Sequence, residues 1–119
     1  MTLAEDVAAA LTAAGYSNIT LEFTQSPDAQ IGIFYGGGSG YIHSSGDIEK
    51  IPVQIQVRDA PANRKVAEER AYAIKTLLHK SELITGAVSC IWDGRYPIHF
   101  SDENGRHKFA VEFLITIST

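Results

Sequence analysis

Apolar residues recur along this chain with two different periods, and the switches between them lay out its elements. From Leu3 to Ala14 the spacing is helical, with Val7, Ala8, Leu11 and Ala14 on one narrow stripe. Thr2 and Glu5 have the spacing of a capping box, and Gly15 supplies the stop. The alanines give this helix a thin face that can lie close against a sheet. The period then drops to two. Ile19, Leu21 and Phe23 alternate over a first strand, Gln25 to Asp28 reads as a turn holding Pro27, and Gln30 to Tyr35 as a second strand.

Beyond a glycine-rich tract, Ile51, Val53, Ile55 and Val57 alternate with Pro52, Gln54 and Gln56, the pattern of a strand with one face buried. Pro52 lacks a backbone donor, which places it at the start of that strand or on an edge. The helical period returns after Pro61, with Val66, Ala67, Ala71, Ile74, Leu77 and Leu78 as the buried stripe and Asp59 as an anion at the helix start. Arg64 with Glu68 and Lys65 with Glu69 have the i,i+4 spacing of solvated ion pairs. A break near Gly86 precedes a strand from Val88 to Trp92 and a tight turn at Asp93-Gly94.

The last quarter specifies a β-hairpin. Asn104-Gly105 is the strongest short hairpin signal, because a type I′ turn needs positive φ at both central residues. Centring the turn there predicts Phe100 opposite Phe109, Ile98 opposite Val111 and Tyr96 opposite Phe113, with Pro97, His99, Ala110 and Glu112 on the other face. The order helix, two strands, strand, helix, three strands predicts an α+β fold: an antiparallel β-sheet with two helices packed on it and a closing C-terminal hairpin. With 119 residues, 45% of them hydrophobic and 20% charged, the chain is expected to form a single domain, 1–119.

Composition narrows the function classes. No apolar run approaches transmembrane length and Met1 leads directly into helical sequence, which predicts a soluble protein without a secretory signal. The single cysteine, Cys90, excludes an internal disulfide framework and suits a reducing compartment, where the Asn18-Ile19-Thr20 sequon has no role. A formal charge of -4 with scattered basic residues argues against tight binding of duplex nucleic acid.

Catalytic constellations are thin. The four histidines, His43, His79, His99 and His107, stand in different elements without metal-ligand spacing, so neither metal nor cofactor is expected. Cys90 sits within a strand, as a small buried hydrophobe does. Glu68 and Glu69 are adjacent on a helix and diverge by about 100°, so they form no carboxylate pair. Ser39 and Ser101 lack a neighbouring base. The tract Gly36 to Gly40 lacks the Gly-Lys-Ser/Thr ending of a phosphate loop and no helix follows it. Its composition is that of a surface loop, bracketed by Tyr35 and Tyr41.

Two blocks resemble the bacteriophage minor capsid and tail-terminator proteins. In that group a strand ending in a Val-Arg pair leads into an amphipathic helix, here Val57 and Arg58. The chain closes on a segment like D-x-N-G-R-x-x-F-x-V-x-F, here Asp102, Asn104, Gly105, Arg106, Phe109, Val111 and Phe113. The resemblance implies a structural virion protein and not an enzyme. Such a subunit forms a homo-oligomeric ring, a hexamer, at the tail end or neck and joins tail to capsid. It acts in the virion, after assembly in the host cytoplasm, and its partners are further copies of itself and the tail-tube and neck or connector proteins. DNA passes through without specific binding, and no membrane is involved. The residues expected at subunit or partner contacts are Tyr35, Tyr41, Arg58, Asp59 and Arg106. For Arg58 a bond to Asp59 or another local carboxylate competes with that role, and for Arg106 a turn-flanking charge left in water. The competing function is a small cytosolic α+β enzyme or ligand-binding domain with the glycine-rich loop as a lid.

Overall fold

The computed structural model describes residues 2–35, 43–45 and 48–118. Helix α1 spans Leu3–Ala13, followed by β1 (Ile19–Thr20), β2 (Gln30–Tyr35), β3 (His43–Ser45) and β4 (Ile48–Asp59). A 3-10 turn at Pro61–Asn63 leads into α2 (Arg64–Leu78), and β5 (Ala87–Trp92), β6 (Ile98–Ser101) and β7 (His107–Ser118) complete the chain. The result is the expected α+β layer. Among the described residues no helix is long and apolar enough to cross a membrane.

The seven strands form one sheet in the order β1-β2-β4-β7-β5, with β3 beside the start of β4 and β6 beside the start of β7. All pairings are antiparallel except that of β1 with β2, which is parallel and only two residues long. The long central pair β4·β7 sets the faces: Val53, Ile55 and Val57 stand opposite Phe113, Val111 and Phe109. These six residues are buried together with Val7 and Leu11 of α1 and Ala67, Ala71, Ile74 and Leu78 of α2. Both helices therefore cover one face of the sheet. The apolar surface removed from water there is the main stabilising term.

Local signals explain the element ends. The capping box is formed, with Thr2 Oγ1 accepting from Glu5 N–H at 3.2 Å and Glu5 Oε1 accepting from Thr2 N–H at 2.9 Å. Gly15 stops the helix at φ +102°. Pro52 lies inside β4 and not at its start; among the described residues β3 pairs with β4 as far as Lys50 and β2 from Val53 onward.

Five expectations are corrected. The hairpin register is one residue away from that expected, with Ile98 opposite Ala110, His99 opposite Phe109 and Phe100 opposite Lys108. The cause is the turn. Asn104 does not adopt positive φ; only Gly105 does, at +76°. Gly105 N–H bonds Asp102 O, and Asp102 N–H bonds Arg106 O, so the loop is a type I turn closed by a glycine bulge. That extra residue moves Phe100 to the sheet face away from the helices. Tyr96 lies outside β6, and Phe113 is opposed by Trp92.

The first strand ends at Thr20, short of Phe23, which instead packs on Phe34 at 5.6 Å between ring centroids. Val66, expected in the buried stripe of α2, is exposed because the stripe follows Ala67, Ala71, Ile74 and Leu78. On α1 the stripe runs through Ala4, Val7, Ala10 and Leu11, leaving Ala14 outside as the C-cap. Of the two helical pairs only Lys65–Glu69 closes, at 3.7 Å between exposed side chains; Glu68 instead accepts from Tyr96 Oη.

Candidate assembly interface

The two arginines of the expected contact set converge on one loop. Arg58 leaves β4 on the face away from the helices and is 2% exposed. Its Nε donates to Asp28 O at 2.9 Å, and its Nη2 donates to Thr24 O and Pro27 O at 2.7 and 2.8 Å. The guanidinium also lies 4.8 Å from the centroid of Phe23. Burial first, and then the neighbouring Arg106 charge, pull the Arg58 pKa below its ordinary value. Asp59 is not its partner. That carboxylate accepts from Ala60 N–H and Asn63 Nδ2 and pairs with Arg70 at 3.5 Å, so it organises the entry into α2.

Arg106 is also buried, so its charge is not in water. Its Nε donates to Asp102 Oδ2 and its Nη1 to Gln25 O, both at 2.7 Å. Asp102 further accepts from the N–H groups of Asn104 and Arg106 at 2.9 Å. Burial pushes the Asp102 carboxyl up, but the bonds from Arg106 and Asn104 outweigh it and hold its pKa below the usual carboxylate value. Gln30, buried, closes the same loop from inside through Thr24 Oγ1 and Pro27 O. Arg58, Arg106 and Gln30 together anchor residues 23–30 to the outer face of the sheet.

Tyr35 is the expected contact residue that the fold leaves exposed, at 53%, and its hydroxyl accepts from Ala4 N–H at 3.2 Å. Tyr41 and the glycine-rich tract lie outside the described residues.

The sequence did not single out one row of exposed apolar side chains. Ile91, Ile98 and Phe100 are exposed, and their pairings with Leu114, Ala110 and Lys108 put all three on the sheet face away from the helices, along one edge. The register slip puts Ile98 and Phe100 in this row. A turn of the bulged type, signalled by Asp102 four residues before Arg106, was the clue available in the sequence.

The two strands of that edge are finished differently. Beside β5, Lys80 N–H donates to Cys90 O at 2.7 Å, and Trp92 N–H donates to His79 Nδ1 at 3.0 Å. The chain leaving α2 thus occupies two of the outward backbone groups of β5, Cys90 O and Trp92 N–H. Beside β6 the side chains of His99 and His107 interact: His107 Nε2 lies 3.1 Å from Pro61 O, and His107 Nδ1 lies 2.9 Å from His99 Nε2. A carbonyl only accepts, so Nε2 of His107 carries the proton and its Nδ1 accepts from His99. Burial, then Arg64 and His107, lower the His99 pKa.

Among the described residues no group of three or more His, Cys, Asp or Glu could hold a metal ion. Cys90 is buried and its thiol is pushed up to about 12 by that burial. A recess of about 440 Å³ between Tyr72 and Tyr96 is floored by Lys65, Glu68 and Ala73. Another of about 210 Å³ lies between Tyr16, Asn18, Gln30 and Arg70. In the first, Tyr96 Oη donates to Glu68 Oε2 at 3.2 Å. No family model matches the chain, and no curated protein is significantly similar to it.

Proposed function

We propose that this protein is a structural subunit of a tailed-bacteriophage virion, one of the copies of a ring that joins tail to capsid. The observation that carries the reading is the row Ile91, Ile98 and Phe100, exposed apolar side chains on one sheet edge, with Lys108 Nζ 5.6 Å from the Phe100 ring centroid. Apolar side chains exposed on a strand edge favour a protein contact. The two blocks that resemble minor capsid and tail-terminator proteins also come together in space. Val57 pairs with Phe109 across β4 and β7, and Arg58 and Arg106 hold the same loop. Both blocks therefore serve one rigid outer face, as a subunit that presents a fixed surface to its neighbours requires.

The test is loss of the gene product in a phage that encodes it. Empty or filled capsids and finished but unattached tails are expected by electron microscopy, with joining restored when purified protein is added. Normal joined virions in its absence overturn the reading.

A further inference from the structure

We infer that β6 is a pairing edge for a second copy of this chain, which lays its own β6 antiparallel against it about a two-fold axis normal to the sheet. The pair stands apart from the ring-subunit reading, because a two-fold contact uses one patch twice and saturates at two copies.

The edge is open. Asp102 N–H bonds Arg106 O, and the antiparallel alternation that follows turns the backbone groups of Phe100 and Ile98 toward β7 and those of His99 and Ser101 outward. Among the described residues no hydrogen bond reaches those outward groups, whereas Cys90 O and Trp92 N–H of β5 are taken by Lys80 and His79. All four residues of β6 are exposed.

Two copies of this edge fit each other in one register. With Phe100 on the axis, His99 of each copy stands opposite Ser101 of the other, and every outward N–H of these residues meets an outward C=O. Centring the axis on His99 sets Ser101 against Pro97, which has no N–H to return. Centring it on Ser101 sets His99 against Glu103, which lies beyond the strand in the turn. Phe100 and its copy then form a close pair without mutual backbone bonds, their Cα atoms about 4.5 Å apart on the face away from the helices. Ile98 flanks that pair from both sides, so the two apolar rows join. Lys108 stands by the Phe100 ring from the β7 side, its Nζ 5.6 Å from the centroid, and leaves the outward side to the second copy.

Charge on the helix layer selects the same occupant. An axis normal to the sheet keeps both helix layers on one side and sets the two α2 helices antiparallel. At Phe100 the axis is level with Arg58, near the end of β4, where the chain turns back into α2. Arg64 and Glu68, one turn apart, therefore lie close to it, and both are within electrostatic reach of His99. Arg64 makes no salt bridge among the described residues. Opposed helices bring Arg64 of each copy toward Glu68 of the other. A different protein would have to match both the bare strand and this pair of charges; a second copy carries both already.

Phe100→Cys in a Cys90→Ala chain tests the register. Cα atoms about 4.5 Å apart lie within disulfide reach, so mild oxidation should convert this chain to a covalent dimer. Ile98→Cys in the same background, opposite Asp102 of the second copy, should not link. Sedimentation velocity on the wild-type chain should show a monomer–dimer equilibrium. Ser101→Pro removes an outward N–H and leaves the bonds to β7 intact, and Arg64→Glu places an acid at a helix start, where it does not harm the fold. Each should weaken the dimer by about tenfold or more while melting within a few degrees of wild type. A wild-type chain that stays monomeric at millimolar concentration overturns the pairing. So does an unchanged equilibrium in both folded variants, or linking of Ile98→Cys in preference to Phe100→Cys. Coverage of β6 only when another virion protein is added overturns it too, and gives the edge to that protein.

Discussion

Arg58 lies over Phe23, its guanidinium carbon 4.8 Å from the ring centroid, and from that platform it holds three carbonyl oxygens of one loop. Arg58→Ala leaves Thr24, Pro27 and Asp28 without their donor and Phe23 without its stacking partner. A loss of about 3 kcal/mol in chemical unfolding is expected, with Arg58→Lys recovering less than half, because an ammonium cannot span the same carbonyl set. A loss below about 0.5 kcal/mol, typical of surface positions, contradicts the anchoring role.

The hairpin register gives a second prediction. His99 stacks on Phe109 at 4.7 Å between ring centroids, while Phe100 stands opposite Lys108 on the other face. Double-mutant cycles should find coupling of roughly 0.5 kcal/mol between His99 and Phe109 and none between Phe100 and Phe109. The reverse result returns the turn to the two-residue type.

The bulged turn depends on Asp102 and Gly105. Gly105→Ala adds a Cβ that meets Pro61 at an ordinary 3.7 Å, so its cost of about 1 kcal/mol comes from the positive φ alone. Asp102 has a folded pKa below its ordinary 3.8, so the stability it contributes is complete above that value and lost as pH falls through the folded pKa. Acid titration of wild type against Asp102→Asn should show the difference in slope only in that acidic range.

His99 titrates in the opposite sense. Its folded pKa is lowered from 6.5, by burial and then by Arg64 and His107, with Glu68 opposing. A base that is harder to protonate when folded leaves stability at its full value above 6.5. Stability falls as pH drops through 6.5, where the unfolded chain takes up the proton first, and levels off below the folded pKa. The urea midpoint should therefore decline across that window in wild type and be flatter in His99→Gln.

Cys90, with its thiol pushed up to about 12 and its side chain buried, should resist maleimide at neutral pH until the protein unfolds. Rapid labelling of the native chain would show that β5 opens.

The parts legible in the sequence were those decided by near neighbours. Thr2 and Glu5 cap α1 as their spacing predicts, Gly15 ends it, and the alternation of Val53, Ile55 and Val57 identifies the central strand. The hairpin was located by Asn104-Gly105 but mis-registered, because the choice between turn types is made by the Asp102 carboxylate, which gathers the N–H groups of Asn104 and Arg106. The inward course of Arg58 was hidden for a different reason: its partners come from residues about 30 positions earlier in the chain. Val66 shows the limit of periodicity alone, since a small phase error on a helix with many alanines exchanges a buried position for an exposed one.

The bonds from His79 and Lys80 to β5 tie the segment that leaves α2 to the edge of the sheet. Helix end and strand are thereby latched to one another, so the last turn of α2 cannot fray without also uncovering β5.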